Sequence, residues 1–217
     1  MEQPASATYV QGQTAVSVTT ASRQEANFLV QRFGCVDGID ESRRWLTLEE
    51  AFYLASDRRI HIAGLSTHDA IWTAFTSADD AFASRYVAYS RYRSRGWIVQ
   101  SGMLYGVTYV LYRMSPDVVH SEYMVYVHDN TSSSSALSWQ LLQMLTRLAE
   151  DVKKTVLVCE VQLVAKDHSA DPAASITIAG RRFHCREMAF RHWPAQFTEG
   201  ASFAMAESTA IPKRTRS

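Results

Sequence analysis

The 217-residue sequence contains no apolar run approaching the ~20 residues that a membrane-spanning helix needs, and its polar first residues lack the apolar core of a signal peptide. These absences predict a soluble, intracellular protein without a membrane span. Cysteine is scarce: Cys35, Cys159 and Cys185 are widely spaced, odd in number, and form neither a C-x-x-C pair nor a Cys/His cluster at zinc spacing. That argues against a disulfide framework and a structural zinc site, and for a reducing compartment. Cys159, inside the apolar run Thr155-Val156-Leu157-Val158-Cys159, is expected as a small buried side chain. His128, His168, His184 and His192 show no ligand spacing, so neither metal nor cofactor is expected. An excess of positive charge is also lacking, with 22 Lys and Arg against 22 Asp and Glu. No global positive field advertises nucleic acid, so an RNA-binding chain of this kind would use a local patch or a partner's charge.

The elements that are present predict a mixed α/β (α+β) protein. Thr8-Tyr9-Val10 and Ala15-Val16-Ser17-Val18 can pair as a hairpin around Gly12. Ser22-Arg23-Gln24-Glu25 and Thr47-Leu48-Glu49-Glu50 have capping-box character and open two helices, the first ending at Gly34. Ile60-His61-Ile62 predicts a short strand, with a structural role for His61. Residues 67–94 have helical periodicity with a break at Thr76–Asp80, where Ser77 or Asp79 could cap a new helix. Phe82, Tyr86, Tyr89 and Tyr92 fall at helical spacing, which favours core over a stacking platform for bases. Arg91, Arg93 and Arg95 close that helix, either as a solvated end or as phosphate contacts. A domain boundary is placed near residue 85, dividing an N-terminal unit, 1–84, from a C-terminal unit, 85–197, with a structureless tail at 198–217. The basic end of that tail, Lys213-Arg214-Thr215-Arg216, suggests a nuclear address.

The chain is organised around residues 103–127. Two runs rich in β-branched and aromatic residues flank a polar link containing Pro116, predicting strand, loop, strand. The first strand should end near Tyr112 and the second should start just past His120, so a phenol and an imidazole meet at one rim. A helix over about 136–153 follows, with Leu137, Leu141, Met144, Leu145 and Leu148 on one face. Then come a central strand from Thr155 to Val164 and two late strands turned at Gly180.

Motifs recur around this centre in a fixed order: Arg93-Ser94-Arg95-Gly96-Trp97, Ser101-Gly102 with Tyr105-Gly106, Tyr112 with Pro116 and His120-Ser121, then Arg147-Leu148-Ala149 and Val152-Lys153-Lys154. Over roughly residues 85–195 the chain resembles the catalytic domain of the tRNA-splicing (tRNA-intron) endonucleases. Trp45 to Leu54 resembles the N-terminal domain of their eukaryotic catalytic subunits.

The resemblance implies a nuclease domain built on a mixed sheet flanked by helices, with Tyr112, His120 and Lys154 as catalytic residues. Metal-free cleavage of precursor tRNA would use the ribose 2′-OH as nucleophile and leave 2′,3′-cyclic phosphate and 5′-OH ends. His is a natural acid, with an ordinary pKa of roughly 6.5, and Lys a compact charge for the phosphorane. A phenol, with an ordinary pKa near ~10, needs a neighbouring cation to act as base, or else only orients the 2′-OH. The family further implies that Arg147 grips a flipped bulge base, opposed by Arg191 or Trp193. It also implies that other endonuclease subunits complete a hetero-oligomer, with a homo-oligomer as the alternative. The loop with Asp167 and Asp171 stands where an acidic loop would insert into a partner. A non-catalytic, RNA-positioning subunit of the same complex is the alternative.

Overall fold

A computed structural model describes residues 4–33, 36–37, 43–129, 137–164 and 175–191. Cys35, Gly34, the Asp167/Asp171 loop, Trp193 and the tail at 198–217 lie outside them. In the N-terminal half, β1 (Ala5–Tyr9) and β2 (Ala15–Thr19) form the expected antiparallel hairpin, turning where Gly12 has φ 83°. Helix α1 (Arg23–Arg32) starts where Ser22 Oγ accepts the Glu25 amide at 3.1 Å. Glu25 reaches back to the Ala21 N–H at 2.8 Å, one residue before the cap. After β3 (Val36–Asp37) and β4 (Arg43–Thr47), helix α2 (Leu48–Ser56) opens with a complete capping box between Thr47 and Glu50. β5 (Ile60–Ile62) then pairs parallel with β1, completing a five-stranded sheet in the order β3-β4-β2-β1-β5. His61 is exposed on that edge strand.

The long helical region is divided as its sequence indicates, into α3 (His68–Ala78) and α4 (Phe82–Ser94). Asp79 does not cap α4; its carboxylate accepts the Ala81 N–H at 2.9 Å and pairs with Arg85. Phe82, Tyr86, Tyr89 and Tyr92 are buried, so α4 is a core helix and no platform for bases. Its arginines are half-buried and engaged within the fold. Arg91 and Arg95 both meet Glu187, at 3.4 and 2.7 Å, and the Arg93 guanidinium lies 4.4 Å from the Phe33 ring centre. A cation held in such a pair would leave a poorly hydrated carboxylate behind if it moved to RNA.

The second sheet holds β6 (Ile98–Ser101), β7 (Tyr109–Tyr112), β8 (Tyr123–Asp129), β9 (Thr155–Leu163), β10 (Ser175–Ile178) and β11 (Arg181–Phe190). Their order is β10-β11-β9-β8-β7-β6. All neighbours are antiparallel except β8 and β9, which α5 (Trp139–Asp151) joins as a crossover. Alternation gives the sheet two apolar faces. Tyr109, Leu111, Val125, Leu157 and Cys159 join the α4 aromatics in the larger core. Val110, Met124, Val156 and Val158 pack with Leu142, Leu145 and Ala149 of α5. Cys159 is fully buried as expected, its sulfur 3.2 Å from that of Cys185, and both are free thiols. No helix among the described residues is long and apolar enough to cross a membrane.

Some expectations fail locally. Met103–Tyr105 is a 3-10 turn closed by Gly106 at φ 65°, not the start of a strand, so β7 begins only at Tyr109. Helix α5 ends at Asp151 rather than Lys153. The Lys153 N–H donates to Glu150 O at 3.0 Å and the Lys154 N–H to Ala149 O at 2.7 Å, with Lys153 at φ 55°. This is a Schellman stop with lysine where glycine is usual. Met144, assigned to the apolar face, is 54% exposed.

Candidate active site

Sheet register alone sets up a row of residues at one rim. Leu111 lies opposite Tyr123, and Tyr123 opposite Thr155. The residues one step further out, Tyr112, Glu122 and Lys154, therefore stand side by side across three neighbouring strands. With strands about 4.8 Å apart, the Tyr112 and Lys154 backbones are separated by roughly 10 Å. Both side chains belong to the α5 face. Tyr112 packs against the cluster containing Val110 and Met124, and Lys154 shares the parity of Val156 and Val158.

Lys154 is drawn inward over this rim. Its ammonium donates to the carbonyl of Ser121 at 2.9 Å, the residue next to His120, and lies 5.6 Å from the centre of the Tyr105 ring. Burial lowers its pKa from the ordinary 10.5. Among the described residues no carboxylate is paired with it. A cation kept by a carbonyl and a ring retains its field for an incoming anion.

His120 is exposed, in the link between β7 and β8. Two devices shape that link. Ser115 O accepts from the Val118 and Val119 amides at 2.9 and 3.2 Å, making a turn beside Pro116. At its base, Arg113 Nε and Nη2 grip both oxygens of Glu122, each at 2.7 Å. The same Arg113 lies over Trp97 at 5.5 Å, and Glu122 O accepts the Thr155 N–H at 3.2 Å. The imidazole is thus presented on a loop closed by a bidentate ion pair, whose geometry is more specific than that of a lysine pair. The partnership pulls the Glu122 carboxyl below its ordinary 4.5, through hydrogen bonds from Arg113.

The tyrosines of this region are now distinguishable. Tyr109 is buried, donates its hydroxyl to Arg85 O at 3.2 Å, and has its pKa pushed well above 10 by burial, so it cannot supply a base. Tyr105 faces Lys154, while Tyr112 occupies the rim itself. A phenol, an imidazole and an ammonium on one solvent-facing edge fit acid–base chemistry on a phosphodiester. The edge is open, as a polymeric substrate requires. A cavity of 420 Å³ lined by Glu49, Glu50, Arg85, Tyr89 and Tyr109 contains none of Tyr112, His120 and Lys154.

The expected RNA-gripping residues are less closely gathered. Arg147 is exposed on α5, but Lys154 lies beyond the left-handed turn at Lys153, so the two do not share a helix face. Arg191 follows β11 at the same end of the sheet as Lys154, its Nε donating to Thr155 Oγ1 at 2.8 Å. Trp193 lies outside the described residues. Sequence reasoning missed Ser121 O as the lysine's anchor and the Arg113–Glu122 clasp. Opposite charges bracketing the Pro-bearing link were the available signal for the clasp.

Comparison with known proteins finds likeness over the segment that carries this rim. Residues 82–168 match the family model described as tRNA intron endonuclease, catalytic C-terminal domain. Over that segment the chain is similar to the tRNA-splicing endonucleases. Among its relatives, tRNA-splicing endonuclease subunit Sen2-1 of Arabidopsis thaliana is 37% identical over 58% of this chain and 56% of its own length. Subunit Sen2 of Rattus norvegicus is 30% identical over 68% of this chain and 34% of its own. For subunit SEN2 of Saccharomyces cerevisiae the figures are 29%, 52% and 30%. The chain thus spans from about a third to about half the length of these relatives.

Proposed function

We propose that the chain is the catalytic subunit of a tRNA-splicing endonuclease, cutting precursor tRNA at an intron boundary without a metal ion. The observation that carries this reading is the Lys154 ammonium, hydrogen-bonded to the carbonyl of Ser121 beside His120, on the rim that holds Tyr112. Tyr112 engages the 2′-hydroxyl, whose oxygen bonds to phosphorus as its proton passes to the Tyr112 phenolate or, where Tyr112 only orients it, to water. His120 protonates the departing 5′-oxygen as the P–O5′ bond breaks. Lys154 offsets the charge on the non-bridging oxygens. The products are a 2′,3′-cyclic phosphate and a 5′-hydroxyl. Arg147 and Arg191, with Trp193, are assigned to holding the RNA, and further subunits to completing the assembly, in keeping with relatives that are themselves named subunits.

The test is incubation of the full chain, with its co-purifying proteins, with an intron-bearing tRNA, followed by analysis of the ends. Cleavage should persist in excess chelator. His120→Ala should abolish it while Tm and tRNA affinity hold. Undiminished cutting by that variant, or a metal requirement, would refute the reading.

A further inference from the structure

We propose that Tyr105 is a positioning residue whose ring face holds the Lys154 ammonium over the cleavage site. The inference rests on the endonuclease reading and adds to it the group that aims the lysine. It starts from the turn at Met103–Tyr105, which is built to tight tolerances. The Gly102 N–H donates to Thr108 O at 3.1 Å, and Gly102 O accepts from the Tyr105 and Val107 amides at 2.9 and 3.2 Å. A Cβ on Gly102 would stand 2.5 Å from Val107 Cγ2 and 2.8 Å from the Tyr109 carbonyl carbon. Gly106 then closes the turn in the left-handed region, at φ 65°.

This construction sorts three consecutive large side chains. Met103 and Leu104 point to solvent, 81% and 94% exposed, while Tyr105 alone turns in against the α5-side cluster. There its ring lies 5.6 Å from Lys154 Nζ. A carboxylate in that place would hold the lysine more strongly but would cancel its charge. A ring quadrupole attracts the cation, shields it from water and leaves its net charge intact. Together with Ser121 O on another side, it limits the directions in which the remaining N–H groups can point. If Tyr105 were only filler, leucine would serve as well.

The experiment is single-turnover cleavage by the assembled full chain carrying Tyr105→Leu, Tyr105→Phe, Lys154→Ala, or Tyr105→Leu with Lys154→Ala. Loss of the ring should slow the cutting step about tenfold without weakening tRNA binding, the range expected for a shielded cation–π contact. Tyr105→Phe, which keeps the ring, should restore the rate. In the Lys154→Ala background Tyr105→Leu should cost nothing further, because the group it positions is gone. A wild-type rate for Tyr105→Leu, or an equal drop in both backgrounds, would overturn the proposal in favour of a packing role. A second measurement does not depend on cleavage. After reductive ¹³C-methylation, the Lys154 methyl signal, identified by its loss in Lys154→Ala, should be ring-shifted upfield in the wild type and move downfield in Tyr105→Leu. Should the wild-type chain cut nothing, the endonuclease reading falls, and this signal alone decides whether Tyr105 holds the lysine: an unshifted signal refutes it.

Discussion

Replacing Gly102 by alanine probes the turn beside the candidate site with a single methyl group. Gly102 has φ −96°, so alanine meets no backbone penalty there, and the whole cost is steric. The added Cβ would lie 2.5 Å from Val107 Cγ2, and 2.8 and 2.9 Å from the carbonyl carbon and oxygen of Tyr109. Val107 is buried, and Tyr109 is paired on both sides, with Ser101 and Val125, so neither can yield freely. Overpacking of this kind costs about 1–3 kcal/mol, which for a chain of this size lowers Tm by about 2–12 °C. The turn must move instead, taking Tyr105 with it, so cleavage should fall further than the loss of folded protein explains. Gly106→Ala is the control. It has no atom within 4 Å of its Cβ but a φ of 65°, so it pays only the left-handed strain of about 1 kcal/mol. Thermal melts and single-turnover cleavage of both variants decide the matter. Gly102→Ala with wild-type Tm and wild-type rate would refute the close approach and the reasoning built on it.

Glu122→Gln should remove about 0.2–1 kcal/mol at neutral pH by breaking the exposed clasp with Arg113, and should slow cleavage by loosening the His120 loop. Because the folded carboxyl titrates below its ordinary 4.5, its contribution is present above that value and is lost as pH falls through the lowered one. Urea melts of wild type and variant should therefore differ at pH 7 and converge in acid; a constant gap would count against the clasp. Since burial lowers the Lys154 pKa from 10.5, cleavage should decline on the alkaline side before that pH as the ammonium is lost, and Lys154→Arg should move any residual limb upward. A pH–rate profile corrected for uncatalysed hydrolysis checks this. Lys153→Gly should raise Tm by about 2–4 °C, relieving roughly 1 kcal/mol of left-handed strain at φ 55°; an unchanged Tm would mean the helix stop is unstrained.

Much of the fold was legible because its signals are local. The capping oxygens of Ser22 and Thr47, the hairpin at Gly12 and the aromatic periodicity of α4 each act within a few residues. The rim residues came by another route: motif order offers Tyr112, His120 and Lys154 as candidates before any contact is known. What escaped depends on distant partners. The arginines ending α4 look solvated in sequence because their carboxylate, Glu187, is 92 and 96 residues away. Met103-Leu104-Tyr105 has the composition of a strand, and only glycines on both sides, one of them crowded by the Tyr109 backbone, convert it to a turn. The end of α5 was misplaced because lysine occupies a position where glycine would have announced the stop.

The tandem lysines have a consequence for how this segment tolerates deletion. If one lysine codon were lost, the other would slide into the inward-facing slot, so the chemistry of the ammonium would survive. The conformational duty would not, because Val152 would inherit the left-handed position at the end of the helix. A β-branched residue is a true outlier there. Such a deletion would spare the reactive group and damage the joint that aims it.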